Sequence, residues 1–343
     1  MSINVKKIKN CLLTIFLCLP LFCYSSENEC VVRAAVDIGS GATKLKVALV
    51  NLKTQKIEKV LINESFPVQY QEELEKSTDG KFNESVMATG LEALKKSKEI
   101  AQQQGASKVV AVATASFRKA ANVQDFIKRV NQETGVQIHI IDQHLEGVLG
   151  FEATTAQFGS DPKDVVVWDI GGGSFQFTAL DDKGEIIVYR GVDASIPFKN
   201  YIIKHIKKED PNLVSTPNPL NRAELRDAGL YARQISTKVD TIFRDKIRNP
   251  KTKVVGIGNI FAYGIYPLVG KKNTFTMNDL YEKVQQLDGK SDIDLVGNAY
   301  VNVEVTNPVL VLGFMQTLGI HQMDIIDINN ADGALVYSKF WEN

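Results

Sequence analysis

The chain has 343 residues, enough for two domains, and its 44% hydrophobic and 23% charged content is ordinary for a folded globular protein. The 40 basic residues balance the 40 acidic ones, so the formal net charge is zero, which excludes binding of a nucleic-acid duplex through a strongly basic surface. The 4 histidines have no zinc-like spacing.

Residues 1–25 have the pattern of a cleavable export signal, in which lysines precede a short apolar run. We expect cleavage after Ser25 and a secreted or periplasmic protein with no stable membrane span. An uncleaved anchor and a lipoprotein signal are the alternatives, although Phe22 rather than a small residue precedes Cys23. All 4 cysteines lie in the first 30 residues, so the mature chain would keep only Cys30 and form no intrachain disulfide.

The next elements in chain order alternate strands with helices. Asn83 is a typical helix N-cap and Gly105 a typical helix end. The predicted series is strands at Val31–Asp37, Lys44–Val50 and Lys56–Ile62, a helix at Asn83–Gln104, a strand at Lys108–Ala113, a helix at Val123–Glu133, a strand at Val136–Ile141 and a helix at Leu145–Phe158.

The second half of the chain repeats the three-strand opening. Its predicted series is strands at Val165–Asp169, Phe175–Ala179 and Glu185–Tyr189, a loop at Asp210–Asn221, a long helix at Asn221–Arg248, a strand at Val254–Gly256, a helix starting within Asn259–Leu268, and a helix–strand–helix ending at Asn307–Gly319, Asp324–Ile328 and Asp332–Trp341. We therefore expect one domain over residues 31–150, with the C-terminal helix 332–343 as a candidate to pack back on it, and a second over residues 160–331.

An Asp-Ile-Gly-Ser/Gly-Gly motif stands between the first two strands of each half. It begins at Asp37 in the first half and at Asp169 in the second. Small residues after a strand allow a tight loop whose backbone N–H groups point into a cavity, an arrangement that suits phosphate. Two copies predict a duplicated phosphate clamp with the ligand held between two domains.

Five further stretches resemble one family, in family order. They are FNESVMATGLEALKKSKEIAQQQGA (82–106), ATASFRKAANVQDFIKRV (113–130), IHIIDQHLEGVLGFEAT (138–154), DIGGGS (169–174) and LGIHQMDIIDINNADGAL (318–335). They are similar to the exopolyphosphatase and guanosine pentaphosphate phosphohydrolase (Ppx/GppA) family. The resemblance implies an α/β fold of two actin-like (ribonuclease H-like) βββαβαβα domains with a phosphate-binding cleft between them.

The resemblance also implies residue roles. Glu146 matches a catalytic glutamate, which would take a proton from the attacking water, and Arg118 matches an arginine that could hold a phosphate bidentately. Asp37 and Asp169 would hold Mg²⁺ or its waters. The two glycine loops would supply phosphate contacts from Ser40, Gly41, Gly172, Gly173 and Ser174.

Each of these residues also has a structural interpretation. An aspartate before glycines often only forms a turn, Glu146 could simply favour the helix dipole, and Arg118 could make a surface ion pair. His144, close to Glu146, is interpreted as an ordinary loop histidine.

The chain departs from the family motifs at several positions. Phe175 and Gln176 stand where the second loop normally runs on to Thr-Glu, and the first loop has Gly41-Ala42 in place of Asn-Ser. GIGNIF replaces a small-residue turn around Gly256, and Ala331-Asp332-Gly333 replaces Arg-Glu-Gly. An amide at Gln176 binds a cation less strongly than a carboxylate and cannot act as a base.

Three functions are consistent with these features. The favoured one is an exported Mg²⁺-dependent hydrolase that releases terminal phosphate from inorganic polyphosphate, or from a phosphate chain such as that of guanosine pentaphosphate. The preference for polyphosphate depends only on the expected location. The second is a weakly active or inactive relative that binds a phosphorylated ligand or a protein partner, and the third is an ATP-dependent kinase. A homodimer is expected from the family resemblance alone.

Overall fold

The protein is described from a computed structural model over residues 30–295 and 300–342. The predicted export signal and its cleavage site lie outside the described residues. Within these two ranges no helix combines the length and the apolar character that a membrane span requires.

The first sheet has five strands in the order β3-β2-β1-β4-β5. They are β1 (Cys30–Ile38), β2 (Ala42–Asn51), β3 (Lys56–Pro67), β4 (Val109–Ala113) and β5 (Gln137–Ile140). β1 pairs antiparallel with β2 and parallel with β4, and the three form the centre of the sheet. Their apolar runs are buried on both faces, which is why they read as continuous hydrophobic stretches rather than as alternating ones.

Five helices accompany this sheet. They are α1 (Tyr70–Lys76), α2 (Glu84–Gln103), α3 (Ala115–Lys119), α4 (Val123–Thr134) and α5 (Gln143–Phe158). The Asn83 side chain caps α2 by accepting from the Val86 N–H, and Asp142 caps α5 in the same way through Leu145. Gly135 ends α4 with a φ of 70°, a conformation that favours glycine. Helix α1 was not predicted from the sequence.

The second sheet repeats the topology of the first. Its order is β10-β11-β9-β6-β7-β8, so β8-β7-β6-β9-β11 corresponds to β3-β2-β1-β4-β5, and β10 is an added edge strand. The strands are β6 (Val165–Ile170), β7 (Phe175–Leu180), β8 (Ile186–Gly191), β9 (Lys253–Ile257), β10 (Thr274–Thr276) and β11 (Gln322–Ile325). The predicted duplication is therefore present at the level of strand order.

The helices of the second half differ more from prediction. They are α6 (Ser195–Tyr201), α7 (Arg222–Ser236), α8 (Thr241–Arg248), α9 (Tyr266–Leu268), α10 (Met277–Gln285), α11 (Val301–Glu304), α12 (Thr306–Leu318) and α13 (Asn330–Val336). The single helix predicted at Asn221–Arg248 is wrong, because the chain turns after Ser236 and restarts at Thr241. Val239, which lies between the two helices, is fully buried.

Two other predicted helices have different bounds. The segment predicted as a helix within Asn259–Leu268 begins with a π-helix at Ile260–Ile265. The helix predicted at Asp332–Trp341 begins at Asn330 and ends at Val336, where a short 3₁₀ turn follows. The strand predicted at Asp324–Ile328 runs instead from Gln322 to Ile325.

Helix α13 packs against the first sheet although it follows the second in sequence. Ala331, Ala334 and Leu335 share a core with β1, β2 and β4. A Cβ on Gly333 would lie 2.6 Å from the Leu149 carbonyl oxygen, so this glycine allows α13 and α5 to touch. Asp332 caps the start of α13 and forms a buried ion pair with Lys46 of β2, at 2.7 Å between Nζ and Oδ2.

We predict that Lys46→Met destabilises the protein by about 3–5 kcal/mol, because it leaves the buried Asp332 carboxylate without its counter-ion. Both side chains are nearly inaccessible, at 3% and 2% exposure. Urea unfolding measures the loss. Lys59→Met on the exposed face of β3 is the control and should change stability by less than about 0.5 kcal/mol. Equal stability of the two variants would contradict the prediction.

Candidate active site

The two glycine loops meet at the centre of the molecule. Asp37 lies near the end of β1 and Asp169 near the end of β6, so the duplicated strands bring both loops to one place. A Cβ on Gly172 would lie 2.6 Å from the Ser40 Cβ, and one on Gly173 would lie 3.0 Å from the Ser40 Oγ. Glycine is therefore required at both positions by the close approach of the opposite loop. Gly41 has ordinary space around it.

A cavity of about 100 Å³ lies at this junction. The predicted site residues that line it are Asp37, Ser40, Gly41, Glu146, Asp169, Gly172 and Ser174. The structure thus brings together residues from both halves that are more than 100 positions apart in the chain. His144 is exposed and does not line the cavity, which agrees with its interpretation as a residue without a catalytic role, but it lies in the first turn of α5 and not in a loop.

Arg118 connects the two halves of the site. It lies on α3, and its Nη1 donates to Glu146 Oε2 at 2.9 Å and to the Ile141 carbonyl oxygen at 2.8 Å. Its Nη2 donates to Ser174 Oγ, in the second glycine loop, at 3.1 Å. The guanidinium is therefore held between the glutamate and the loop, and it is not a free surface charge.

Glu146 stands in the first turn of α5 and is buried, with 6% of its surface exposed. Burial raises the pKa of its carboxyl to about 7, although Arg118 opposes the shift, and Asp37 adds to it. A carboxyl with a pKa near neutral exchanges protons readily at physiological pH, which is the property required of a general base.

Lys44 was not recognised from the sequence as a site residue. Its Nζ lies 2.6 Å from Asp37 Oδ2, and it lines the same cavity. Burial acts against its charge, but the Asp37 carboxylate raises the pKa of Lys44 above its ordinary value. The sequence did contain a signal for Lys44 as a functional residue. Lys44 and Lys46 place two charges at alternate positions of a strand that is mostly apolar.

The two aspartates have unequal surroundings. Asp37 Oδ2 is paired with Lys44, whereas its Oδ1 is buried and accepts no hydrogen bond from the described residues. Burial raises the pKa of Asp169 to about 8, and the nearby Glu146 and Asp37 contribute to the shift. If all three were ionised, the carboxylates of Asp37, Glu146 and Asp169 would carry one negative charge more than Lys44 and Arg118 balance.

This excess of carboxylates fits a divalent cation. Magnesium prefers oxygen ligands and is usually bound by one or two carboxylates together with waters and substrate phosphates. In residues 30–295 and 300–342, no group of three or more ligating side chains is close enough to hold a metal alone. Asp37, with an unsatisfied oxygen, and Asp169 are the residues that suit such a shared site.

Gln176 lies directly opposite Asp169 in the β6–β7 pair, so the two side chains project from the same face of the sheet. It is 1% exposed and does not line the cavity. Its Nε2 is buried and finds no acceptor in the part of the chain that the structure describes. An unsatisfied buried donor costs about 1–3 kcal/mol, which marks this position as unusual.

Comparisons with known proteins relate the chain to one family. The model of the Ppx/GppA phosphatase family matches residues 49–189, which include Arg118, Glu146 and the second glycine loop. This segment belongs to the Ppx/GppA phosphatase family. The resemblance predicted from the motifs is confirmed.

Curated relatives of the family match only part of their own length. The bifunctional 3-dehydroquinate synthase/phosphatase of Fusobacterium nucleatum is 31% identical over 158 residues, which are 44% of this chain and 23% of that protein. Exopolyphosphatase 1 of Mycobacterium leprae is 34% identical over 89 residues, which are 26% of each chain. The matched segments thus span about a quarter of these relatives.

Solved structures of the family share the whole fold. An exopolyphosphatase from Cytophaga hutchinsonii has a TM-score of 0.70 at 18% identity, covering 90% of this chain and 98% of that one. The Aquifex aeolicus family member has a TM-score of 0.67 at 19% identity, covering 92% and 99%. The predicted fold of two actin-like α/β domains is confirmed.

Proposed function

We propose that this Ppx/GppA family protein is a phosphohydrolase that releases the terminal phosphate from a phosphate chain by direct attack of water. The observation that carries the proposal is the buried Glu146 carboxyl, with a pKa of about 7, held by Arg118 where the two glycine loops meet. The similarity to relatives that include an exopolyphosphatase supports the same reaction class.

The chain's own residues supply the steps of this reaction. Glu146 takes the proton of the attacking water, the water oxygen forms the new bond to phosphorus, and the bridging P–O bond breaks to leave the shortened chain. Arg118 and Lys44 offset the charge on the phosphoryl oxygens, while Ser40, Ser174 and the glycine-loop N–H groups offer hydrogen bonds. Asp37 and Asp169 would hold Mg²⁺, which when bound would neutralise charge on the phosphates.

The substrate proposed first is inorganic polyphosphate. A phosphate chain such as that of guanosine pentaphosphate is the alternative, because the preference between them depends on export, which remains a prediction. The decisive experiment measures phosphate released from long-chain polyphosphate by the protein from Ser26 onward, with Mg²⁺ and with EDTA. Metal-dependent release supports the proposal, and polyphosphate binding without release would favour a binding protein.

A second function is favoured by one specific observation, the buried and unsatisfied amide of Gln176. In this case the protein would be a family member with reduced catalytic activity, which binds a phosphorylated ligand and hydrolyses it slowly or not at all. The loss of a carboxylate beside Asp169 lowers the negative charge available to a cation.

If the glutamine at this position reduces activity, we predict that Gln176→Glu raises the rate of metal-dependent phosphate release by roughly tenfold or more. The reason is that the substitution restores a carboxylate next to Asp169. Gln234→Glu on α7 is the matched control, and it should leave the rate unchanged. Phosphate release is measured at saturating Mg²⁺ for both variants. If the unsubstituted protein releases phosphate and Gln176→Glu releases it no faster, the binding-protein alternative loses its support.

A further inference from the structure

The active-site cavity is narrow where the two halves meet. It encloses about 100 Å³, whereas small-molecule pockets usually measure roughly 300–1,000 Å³. Ser40 of one glycine loop packs directly on Gly172 of the other. The contacts that join the two halves therefore decide how closely the two glycine loops approach each other.

On one side, the halves are joined by apolar packing along α5. Leu149 belongs to the core that α13 shares with the first sheet. One turn further along, Phe151 and Ala153 belong to a core with β6 and β9 of the second sheet. Because one helix is buried in both cores, this side resists separation and has the character of a pivot.

On the other side, the contacts between the halves are polar. Glu72 of α1 accepts a hydrogen bond from Asn302 Nδ2 at 2.8 Å, and its carboxylate lies 3.6 Å from Lys199 Nζ. Glu75 accepts a hydrogen bond from Asn200 Nδ2. We call these five residues the α1 clamp: Glu72, Glu75, Lys199, Asn200 and Asn302.

Gln71 links the α1 clamp to both glycine loops. Its backbone N–H donates to the Ser40 carbonyl oxygen at 2.9 Å, and its Nε2 donates to Glu75 Oε1 at 2.8 Å. A Cβ on Gly173 would lie 2.6 Å from Gln71 Oε1, so the amide also touches the second loop. A movement of α1 would consequently displace the glycine loops.

The α1 clamp also borders a second cavity, of about 600 Å³, lined by Glu72, Glu75, Lys199 and Asn200. Polar contacts beside an open cavity resemble a transient domain interface more than a domain core. The Lys199 side chain is nevertheless only 1% exposed, so its attraction to Glu72 is weakly screened by solvent. The clamp can therefore open and also hold firmly when closed.

We propose that the α1 clamp holds the active-site cleft closed, with Glu72 as its central positioning residue. The kinetic part of this inference depends on the proposed phosphohydrolase function, and the structural part does not. Only the closed state places Arg118 and Ser174 on one phosphate. Weakening the clamp therefore lowers the fraction of molecules in the closed state, which is the state that binds substrate. The apparent affinity falls in proportion to that fraction.

The kinetic test uses Glu72→Gln, which keeps the shape of the side chain but removes its charge. We expect KM for polyphosphate to rise about tenfold while kcat changes less than about twofold. Asn200→Ala is a milder second variant in case Glu72→Gln fails to fold. Glu224→Gln is the matched control, since its ion pair with Lys207, at 3.3 Å, lies wholly within the second half. A fall in kcat with unchanged KM would overturn the proposal.

Hydrogen exchange tests the clamp without any activity. Peptides covering residues 39–42 and 171–174 should exchange faster in Glu72→Gln and Asn200→Ala than in the unsubstituted protein, but not in Glu224→Gln. Adding polyphosphate should slow the exchange again. Unchanged exchange in both clamp variants would overturn the proposal. If no variant and no unsubstituted protein releases phosphate, the proposed function fails while the exchange result still decides the clamp.

Discussion

Replacing Glu146 with glutamine should abolish phosphate release, with a fall of about 10²–10⁴-fold, because the amide cannot take the proton of the attacking water. The substitution keeps the size of the side chain and the Arg118 contact can be retained by the amide oxygen. The initial rate of phosphate release from polyphosphate at saturating Mg²⁺ measures the effect. Polyphosphate binding should be retained.

Glu152→Gln is the matched control for this prediction. Glu152 lies on the same helix, α5, and burial also raises its pKa, but it does not line the cavity. Its replacement should leave the rate within about twofold. An equal loss of activity in both variants would indicate that disruption of helix α5, and not removal of the base at Glu146, causes the loss.

The same Glu146→Gln substitution should stabilise the protein above neutral pH. An acid whose pKa is raised on folding binds more protons in the folded state, so its ionisation lowers stability as the pH rises from its unfolded pKa to its folded one. For Glu146 that window runs from 4.5 to about 7, and the full penalty is roughly 3 kcal/mol as an upper bound. Thermal unfolding at pH 8 should therefore show a higher Tm for the variant, and a flatter dependence of Tm on pH. An unchanged Tm would show that the carboxyl is not desolvated.

The parts of the site that were predicted from the sequence are those with a local signature. Asp37 and Asp169 are followed by glycines whose spacing requires a tight turn, and the motif occurs twice. Local signatures of this kind persist because the backbone geometry allows few residues in such a turn. The repeated strand order followed from the same duplication.

The parts that were missed depend on packing and strand register and not on a motif. Helix α1 is short, has no side-chain cap, and is held by packing of Tyr70 in an aromatic cluster with Phe82, Phe117 and Phe126. Its seven residues are mostly good helix formers, but so short a stretch without a cap does not predict a stable helix. Lys44 was missed because its partner, Asp37, is brought opposite by the strand register and not by a motif.

The long helix predicted at Asn221–Arg248 shows that the spacing of apolar residues does not by itself predict where a helix ends. Its apolar residues continue through the segment that turns, so the pattern alone favours one helix. Asp240, which precedes α8, and the β-branched Thr237 and Val239 offered a weak signal for a break. Val239 is fully buried between the two helices, and it continues the helical spacing of the apolar residues before it, so that spacing does not locate the break.

Replacing Asp169 with asparagine should remove metal dependence together with most of the activity, a loss of roughly 10²-fold or more. The carboxylate stands 8% exposed at the end of β6, beside Glu146 and Asp37, and it is the group in this cluster without a paired cation at hydrogen-bond distance among the described residues. Its replacement by an amide removes one of the two charges that we propose hold the cation.

Calorimetric titration measures the affinity for Mn²⁺ independently of phosphate release, since it needs no turnover. We expect Asp169→Asn to weaken Mn²⁺ binding at least about tenfold in the presence of polyphosphate, whereas Asp182→Asn, on an exposed turn of the second half, should bind as the unsubstituted protein does. Glu146→Gln should also bind Mn²⁺ normally, because its proposed role is to move a proton. An Mn²⁺ affinity of Asp169→Asn equal to that of the unsubstituted protein would refute the proposed metal ligand. Weaker Mn²⁺ binding by Glu146→Gln would indicate that Glu146 is a metal ligand and that another group is the general base.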